Sequence, residues 1–128
     1  MPIPEGKTFP FDTPEKLRPD FLEVFPFKGE EQTIEIVSDE FSAVCPFSGL
    51  PDIARVIIKY MPNGKCIELK SLKYYFISYR NVGIYQEAVT DRIYTDLEKV
   101  LNPKKIMVRT VYNIRGGIGV TCTVGESF

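Results

Sequence analysis

Cys45 and Asp52 bracket the segment Cys45-Pro46-Phe47-Ser48-Gly49-Leu50-Pro51-Asp52, whose two internal prolines and glycine forbid regular structure. A thiol held in such a bend becomes a nucleophile once its proton is removed, and a carboxylate seven residues later, across the same bend, can manage protons. Taken alone, a free cysteine is more often a packing residue, and an Asp after a proline more often a turn residue. Cys122 reads as the ordinary case, sharing a strand face with Ile118, Val120 and Val124, and Cys66 falls in a strand with no activating neighbour. The chain has no histidine, so the commonest neutral-pH acid/base and the commonest zinc ligand are missing, and chemistry is left to Cys, Asp, Glu, Lys or Tyr.

These residues must be positioned by one domain. The length of 128 residues and the hydrophobic content of 44% suit a single globular unit. Sixteen Lys+Arg against seventeen Asp+Glu form no basic stripe, which argues against nucleic acid as a direct partner. No apolar run approaches the ~20 residues of a membrane span and no charged-then-apolar leader opens the chain, so a cytoplasmic protein is expected. Three cysteines, an odd number and far apart, predict free thiols.

Residues 1–29 hold six of the ten prolines among five phenylalanines, which predicts an extended segment laid over the body of the protein or over a neighbouring subunit. Residues 30–128 form the domain proper. Alternation predicts strands over 33–37 and 53–60, and Asn63-Gly64 predicts a hairpin turn into a strand over 65–69. Residues 71–80 read as a short helix, although Tyr74 to Ile77 would equally suit a strand. Residues 84–101 read as a longer helix with Tyr85, Val89, Ile93 and Leu97 on one face, stopped by Asn102-Pro103. Strands over 106–114 and 118–124 close the chain, joined at Arg115-Gly116-Gly117. The order points to an α+β protein, an antiparallel sheet with two helices on one face. Its two free edges favour a homo-oligomer that pairs them.

The stretch from Phe41 to Arg80, extended through Asn81-Val82-Gly83-Ile84-Tyr85-Gln86-Glu87 to Arg115-Gly116-Gly117, resembles the short, single-module nitrile reductases of the queuosine pathway. Its most specific piece is Glu68-Leu69-Lys70-Ser71-Leu72-Lys73-Tyr74-Tyr75. The resemblance implies the tunnelling fold, with subunits closing into a barrel, as pentameric rings stacked into a decamer, and with active sites at subunit boundaries. It implies reduction of 7-cyano-7-deazaguanine (preQ0) to its aminomethyl counterpart by NADPH. Cys45 would add to the nitrile carbon to form a thioimide, and Asp52 would supply protons. Ile67, Glu68, Leu69, Gln86 and Glu87 would contact the base, and Lys70, Lys73, Arg115 and Gly116 the cofactor, with no metal.

At position 86 many relatives carry histidine; Gln86 can hydrogen-bond but cannot shuttle a proton near pH 7, which moves that work to Asp52 and water. No dinucleotide-binding glycine fingerprint exists, because Gly116, Gly117 and Gly119 lie between strands. Two other readings are an amidine-forming enzyme of the same superfamily acting on preQ0 in transfer RNA, which lacks the Glu-x-Lys-x-x-Lys signature, and a non-catalytic purine- or pterin-binding oligomer with an inert Cys45. Zinc-dependent relatives need histidine ligands and are disfavoured.

Overall fold

A computed structural model describes residues 2–128. Its centre is β3 (Pro51–Met61), paired antiparallel with β2 (Ile34–Val44) on one side and β5 (Lys105–Tyr112) on the other, with β6 (Thr121–Gly125) beyond β5. Alternation along β3 turns Asp52, Ala54, Val56, Ile58 and Tyr60 to the buried face, the period-2 pattern of a sheet covered on one side. Helices α1 (Leu69–Ile77) and α2 (Gln86–Leu101) cover it. Val89, Ile93, Leu97 and Leu101 of α2 join Phe41, Val56, Ile58 and Val108 of the sheet in the core.

Strand β2 runs seven residues past its expected end. Ser38-Asp39-Glu40 lacks strand propensity, and the structure absorbs it as a bulge: register slips between Ser38, opposite Val56, and Phe41, opposite Ala54. Asp52, expected in the loop, is the second residue of β3. Residues 61–65 turn at Gly64 (φ +82°), yet the expected hairpin does not form. Instead β4 (Lys65–Ile67) leaves the main sheet and pairs with β1 (Val24–Pro26), because Tyr60 turns inward and its hydroxyl takes the Ile67 N–H at 3.1 Å. The N-terminal segment is thus not purely extended: besides β1 it makes two 3₁₀ turns at Pro14–Lys16 and Pro19–Phe21 and buries Leu17 and Leu22 in the core. Helix α1 begins two residues before its expected start, because Glu68 caps it by accepting from the Ser71 and Lys70 N–H groups. Helix α2 begins at Gln86, with Tyr85 outside it. Ile118 and Val120 lie outside β6, so Cys122 shares its inward face with Val124 alone.

Between the two helices the Tyr75 hydroxyl donates to Asp96 Oδ2 (2.6 Å) and meets the Tyr79 hydroxyl (2.7 Å), while Arg92 Nε donates to the same oxygen at 2.9 Å. Asp96→Ala would leave a buried phenol and a half-buried guanidinium without their acceptor. We expect it to cost about 2–4 kcal/mol, read as a lowered denaturation midpoint with secondary structure retained.

Candidate active site

Four segments converge at the end of the sheet where β3 begins. Ala43 of β2 lies opposite Asp52, and the alternation that buries Phe41 and Ala43 carries Cys45 to the same face. After Val44 the chain turns through residues 45–50, with the Cys45 N–H donating to Leu50 O (2.9 Å) and the Gly49 N–H to Cys45 O (2.9 Å). Gly49 is required here: its φ is +72°, and a Cβ would run into the carbonyl of Phe9. The N-terminal segment straps the loop, since the Phe9 N–H donates to Ser48 O (3.0 Å) and Asp12 bonds through its backbone to Asn81 and Gly83. The stretch 82–84 lies along the end of β2, with the Val44 N–H donating to Val82 O and the Ile84 N–H to Val44 O. Phe47 packs edge-on against Tyr85 (5.9 Å between centroids), which places the first turn of α2, with Gln86 and Glu87, beside the thiol loop.

Cys45 is partly exposed and free. The backbone N–H groups of Ser48 and then Phe47 point at its sulfur and hold its pKa below the ordinary thiol value; slight burial and the neighbouring Asp52 oppose them, and the Ser48 hydroxyl adds to the lowering. Donors aimed at an anion stabilise the thiolate, so two backbone amides supply part of what an imidazole supplies elsewhere. Asp52 is 8% exposed and its Oδ1 accepts from Arg115 Nη1 at 2.6 Å, while the same nitrogen donates to Pro51 O at 2.9 Å. Arg115 leads a tight turn in which Gly116 and Gly117 both take positive φ. The sequence reading placed Arg115 with the cofactor; its pairing with Asp52 was not anticipated, since 63 residues separate them. Glu87 is exposed on the first turn of α2, where the helix dipole favours a carboxylate, and Gln86 is half-buried.

The other expected site residues lie elsewhere. Ile67 is bonded to Tyr60, eight residues along β3 from Asp52, a strand distance of about 26 Å. Glu68 spends its carboxylate on the α1 cap, Leu69 is 62% exposed, and Lys70 and Lys73 are exposed on α1 with no carboxylate partner among the described residues. A groove of about 480 Å³ runs between α1 and the free edge of β2, lined by Ile36, Glu40, Leu69, Lys73, Phe76 and Arg80, and neither Cys45, Asp52 nor Glu87 borders it. The residues expected at the site therefore fall into two groups, at opposite ends of β3. No cluster of His, Cys, Asp or Glu suited to a metal ion occurs among the described residues, and none of their helices is long and apolar enough to cross a membrane.

A turn that presents a partly exposed thiol of lowered pKa next to a buried carboxylate, on an antiparallel α+β sheet, is an arrangement suited to a cysteine nucleophile. The chain belongs to the QueF-like protein family, which matches residues 51–127. It is 59% identical over 127 residues to the NADPH-dependent 7-cyano-7-deazaguanine reductase of Thermotoga petrophila, covering 98% of this chain and 93% of that one. To the enzyme of the same name from Chlorobium phaeobacteroides it is 48% identical over 110 residues, covering 84% and 95%. The apo crystal structure of an archaeosine synthase QueF-Like superposes with a TM-score of 0.66 over 78% of this chain and 96% of that one, and at 20% identity it bears on the fold alone.

The thiolate cradle has a measurable consequence. Alkylation of Cys45 by iodoacetamide is expected to rise with pH through a midpoint below that of a free cysteine, about 8.5. Ser48→Pro, which deletes one donating N–H, should move the midpoint up; an unshifted midpoint in both proteins would remove the cradle from the account.

Proposed function

We propose that the chain is an NADPH-dependent 7-cyano-7-deazaguanine reductase, working in the cytoplasm on the free base in queuosine biosynthesis, with Cys45 as its nucleophile. The observation that carries this reading is the partly exposed thiol with its two backbone donors, beside a buried carboxylate, in a chain 59% identical to a protein of that name.

The Cys45 thiolate adds to the nitrile carbon: a C–S bond forms, one C–N π bond breaks, and its electron pair goes to nitrogen, which takes a proton delivered by Asp52. The product is a thioimide, whose C=N accepts hydride far more readily than a triple bond. NADPH, when bound, would supply two hydrides per nitrile; with the proton already taken and one more they complete the four-electron change from nitrile to amine, Cys45 leaving as thiolate between the two reductions. Arg115 holds Asp52 in place through Oδ1, leaving the other oxygen to handle the proton. Glu87 takes the N–H edge of the base as a bidentate acceptor, and Gln86 contacts it by hydrogen bond only.

The residues fit a dinucleotide phosphate. Lys70 and Lys73, three apart on one exposed face of α1, have free ammonium groups, whereas the amides of that helix terminus are already taken by Glu68. They and Arg115 with Gly116 would hold the cofactor phosphates. The two groups lie too far apart to enclose one base, so we assign Ile67, Glu68, Leu69, Lys70 and Lys73 to one subunit of each site and Cys45, Asp52, Gln86 and Glu87 to its neighbour. Subunits meeting edge to edge, β2 against β6, would close the sheet into the barrel of a tunnelling fold. The sheet face away from the helices, where Val37, Ile53 and Val111 are exposed, would then be covered by copies of this chain.

Incubation with preQ0 should add the mass of one base per chain, an adduct lost in Cys45→Ala, and addition of preQ0 should drive NADPH oxidation in the wild type. A folded protein that forms no adduct and oxidises no NADPH would defeat the assignment. Asp52→Asn should bind preQ0 but reduce it at least a hundred-fold more slowly, the scale of a lost proton-transfer group.

Composite sites also predict complementation. Cys45→Ala and the Lys70→Ala/Lys73→Ala double variant, each inactive alone, should regain up to about a quarter of wild-type turnover when dissociated and reassembled together, since random mixing leaves that share of interfaces intact. No recovery in mixed oligomers would place the whole site within one chain.

A further inference from the structure

Four tyrosines are buried on the helix-facing side of the sheet or against it, and three of them satisfy their hydroxyls within the fold. Tyr60 accepts from the Ile67 N–H, and Tyr75 donates to Asp96 while its hydroxyl also meets that of Tyr79. The fourth, Tyr112, is 5% exposed, and its hydroxyl is the one buried side-chain N or O atom without a partner among the described residues. An unpaired buried hydroxyl disfavours folding, and such groups call for a reason.

Its surroundings supply one. Tyr112 ends β5 opposite Ala54, so Asp52, two residues back on the same face of β3, is its diagonal neighbour, about 7–8 Å away between Cα atoms and within reach of an aromatic side chain. Thr110, two residues earlier on the same face, meets Thr90 of α2 at 2.6 Å. One turn back along α2 brings Gln86 and Glu87 over Tyr112. Burial, and next the charge of Asp52, hold the phenol's pKa far above the ordinary tyrosine value, with Cys122, Tyr79 and Glu87 acting in the same direction. It therefore stays a neutral O–H at any working pH.

We propose that the Tyr112 hydroxyl is a further substrate contact, donating a hydrogen bond to an acceptor atom of the bound base from its place between Asp52 and Glu87. The identity of that base rests on the reductase reading. While Asp52 is kept for proton delivery, Glu87, a carboxylate, accepts and so matches the N–H groups of a guanine-like ring. Its carbonyl oxygen and unprotonated ring nitrogen need donors, and Arg115, the nearby cation, already holds Asp52. A neutral phenol fills that need, and in the free protein its donor waits unpaired for the ligand.

The test is Tyr112→Phe, which deletes one oxygen and keeps the ring, built in Cys45→Ala so that preQ0 binds reversibly. Calorimetric titration with preQ0 should show Kd raised about ten-fold over the parent, while the thermal midpoint without ligand stays equal or rises, because an unsatisfied group has gone. An unchanged Kd overturns the proposal. So does a raised Kd with a lowered ligand-free midpoint, since that would mean the hydroxyl was already serving the fold. If the Cys45→Ala parent binds no preQ0 and the wild type oxidises no NADPH with it, the reductase reading fails and takes this contact with it; normal behaviour of both parents with an indifferent Tyr112→Phe sinks the contact alone.

Discussion

Strand β3 is bonded along almost its whole length on both sides, and a strand so clamped cannot fold back to bring its ends together. Asp52 marks one end and Tyr60, with Ile67 fastened to its hydroxyl, marks the other. Cys45, Asp52, Gln86 and Glu87, proposed to attack the nitrile and hold the base, collect at the first end, while the lysine-bearing helix starts from the second. The distance between them, about 26 Å by strand geometry, exceeds any small base. The division of labour between subunits under the proposed function follows from this stiffness.

The same clamping explains how a histidine-free chain can set up a nucleophile. The thiol loop is tied on three sides: by its own bonds between Cys45, Gly49 and Leu50, by the strap at Phe9, and by residues 82–84 along Val44. Rigidity matters because the donors that lower the Cys45 pKa are backbone amides of the loop itself, and they act only while the turn keeps its shape. Asp52 is held from the other side by Arg115, which bonds the carboxylate and the adjoining Pro51 carbonyl with a single nitrogen.

Much of this was legible in the sequence, and what was not has identifiable causes. The alternation over 53–60, the apolar run expected as a strand over 106–114, and the period-3.6 stripe of Val89, Ile93 and Leu97 announced the central strands and the long helix, because burial writes itself into spacing. The Cys45–Asp52 bend was visible from its prolines and glycine. The bulge at Asp39 and Glu40 was not, since polar residues in a strand look like its end until the partner strand shows the slip. Nor was the diversion of β4, because Asn63-Gly64 is a true turn and only the inward Tyr60 decides that the next strand pairs with β1 instead of β3. Tyr112 falls inside the strand expected over 106–114 and nothing there marks it out, because spacing carries no information about whether a hydroxyl finds a partner.

That last point separates residues that serve the fold from residues that serve a ligand. Tyr75, Tyr79, Asp96 and Arg92 are joined in one set of bonds that leaves none of their buried side-chain nitrogens or oxygens unpaired among the described residues. Among the described residues, the groups near the start of β3 are left open: a thiol with two donors but no covalent partner, Glu87 with no ion-pair partner, and a buried phenol with no acceptor. Leaving the buried Tyr112 hydroxyl unmatched costs stability, and a fold that satisfies three of its four buried tyrosines has the means to satisfy the fourth. An unmet donor beside the proposed nucleophile becomes binding energy only when the matching atom arrives, and this is how the proposed site would take a polar heterocycle.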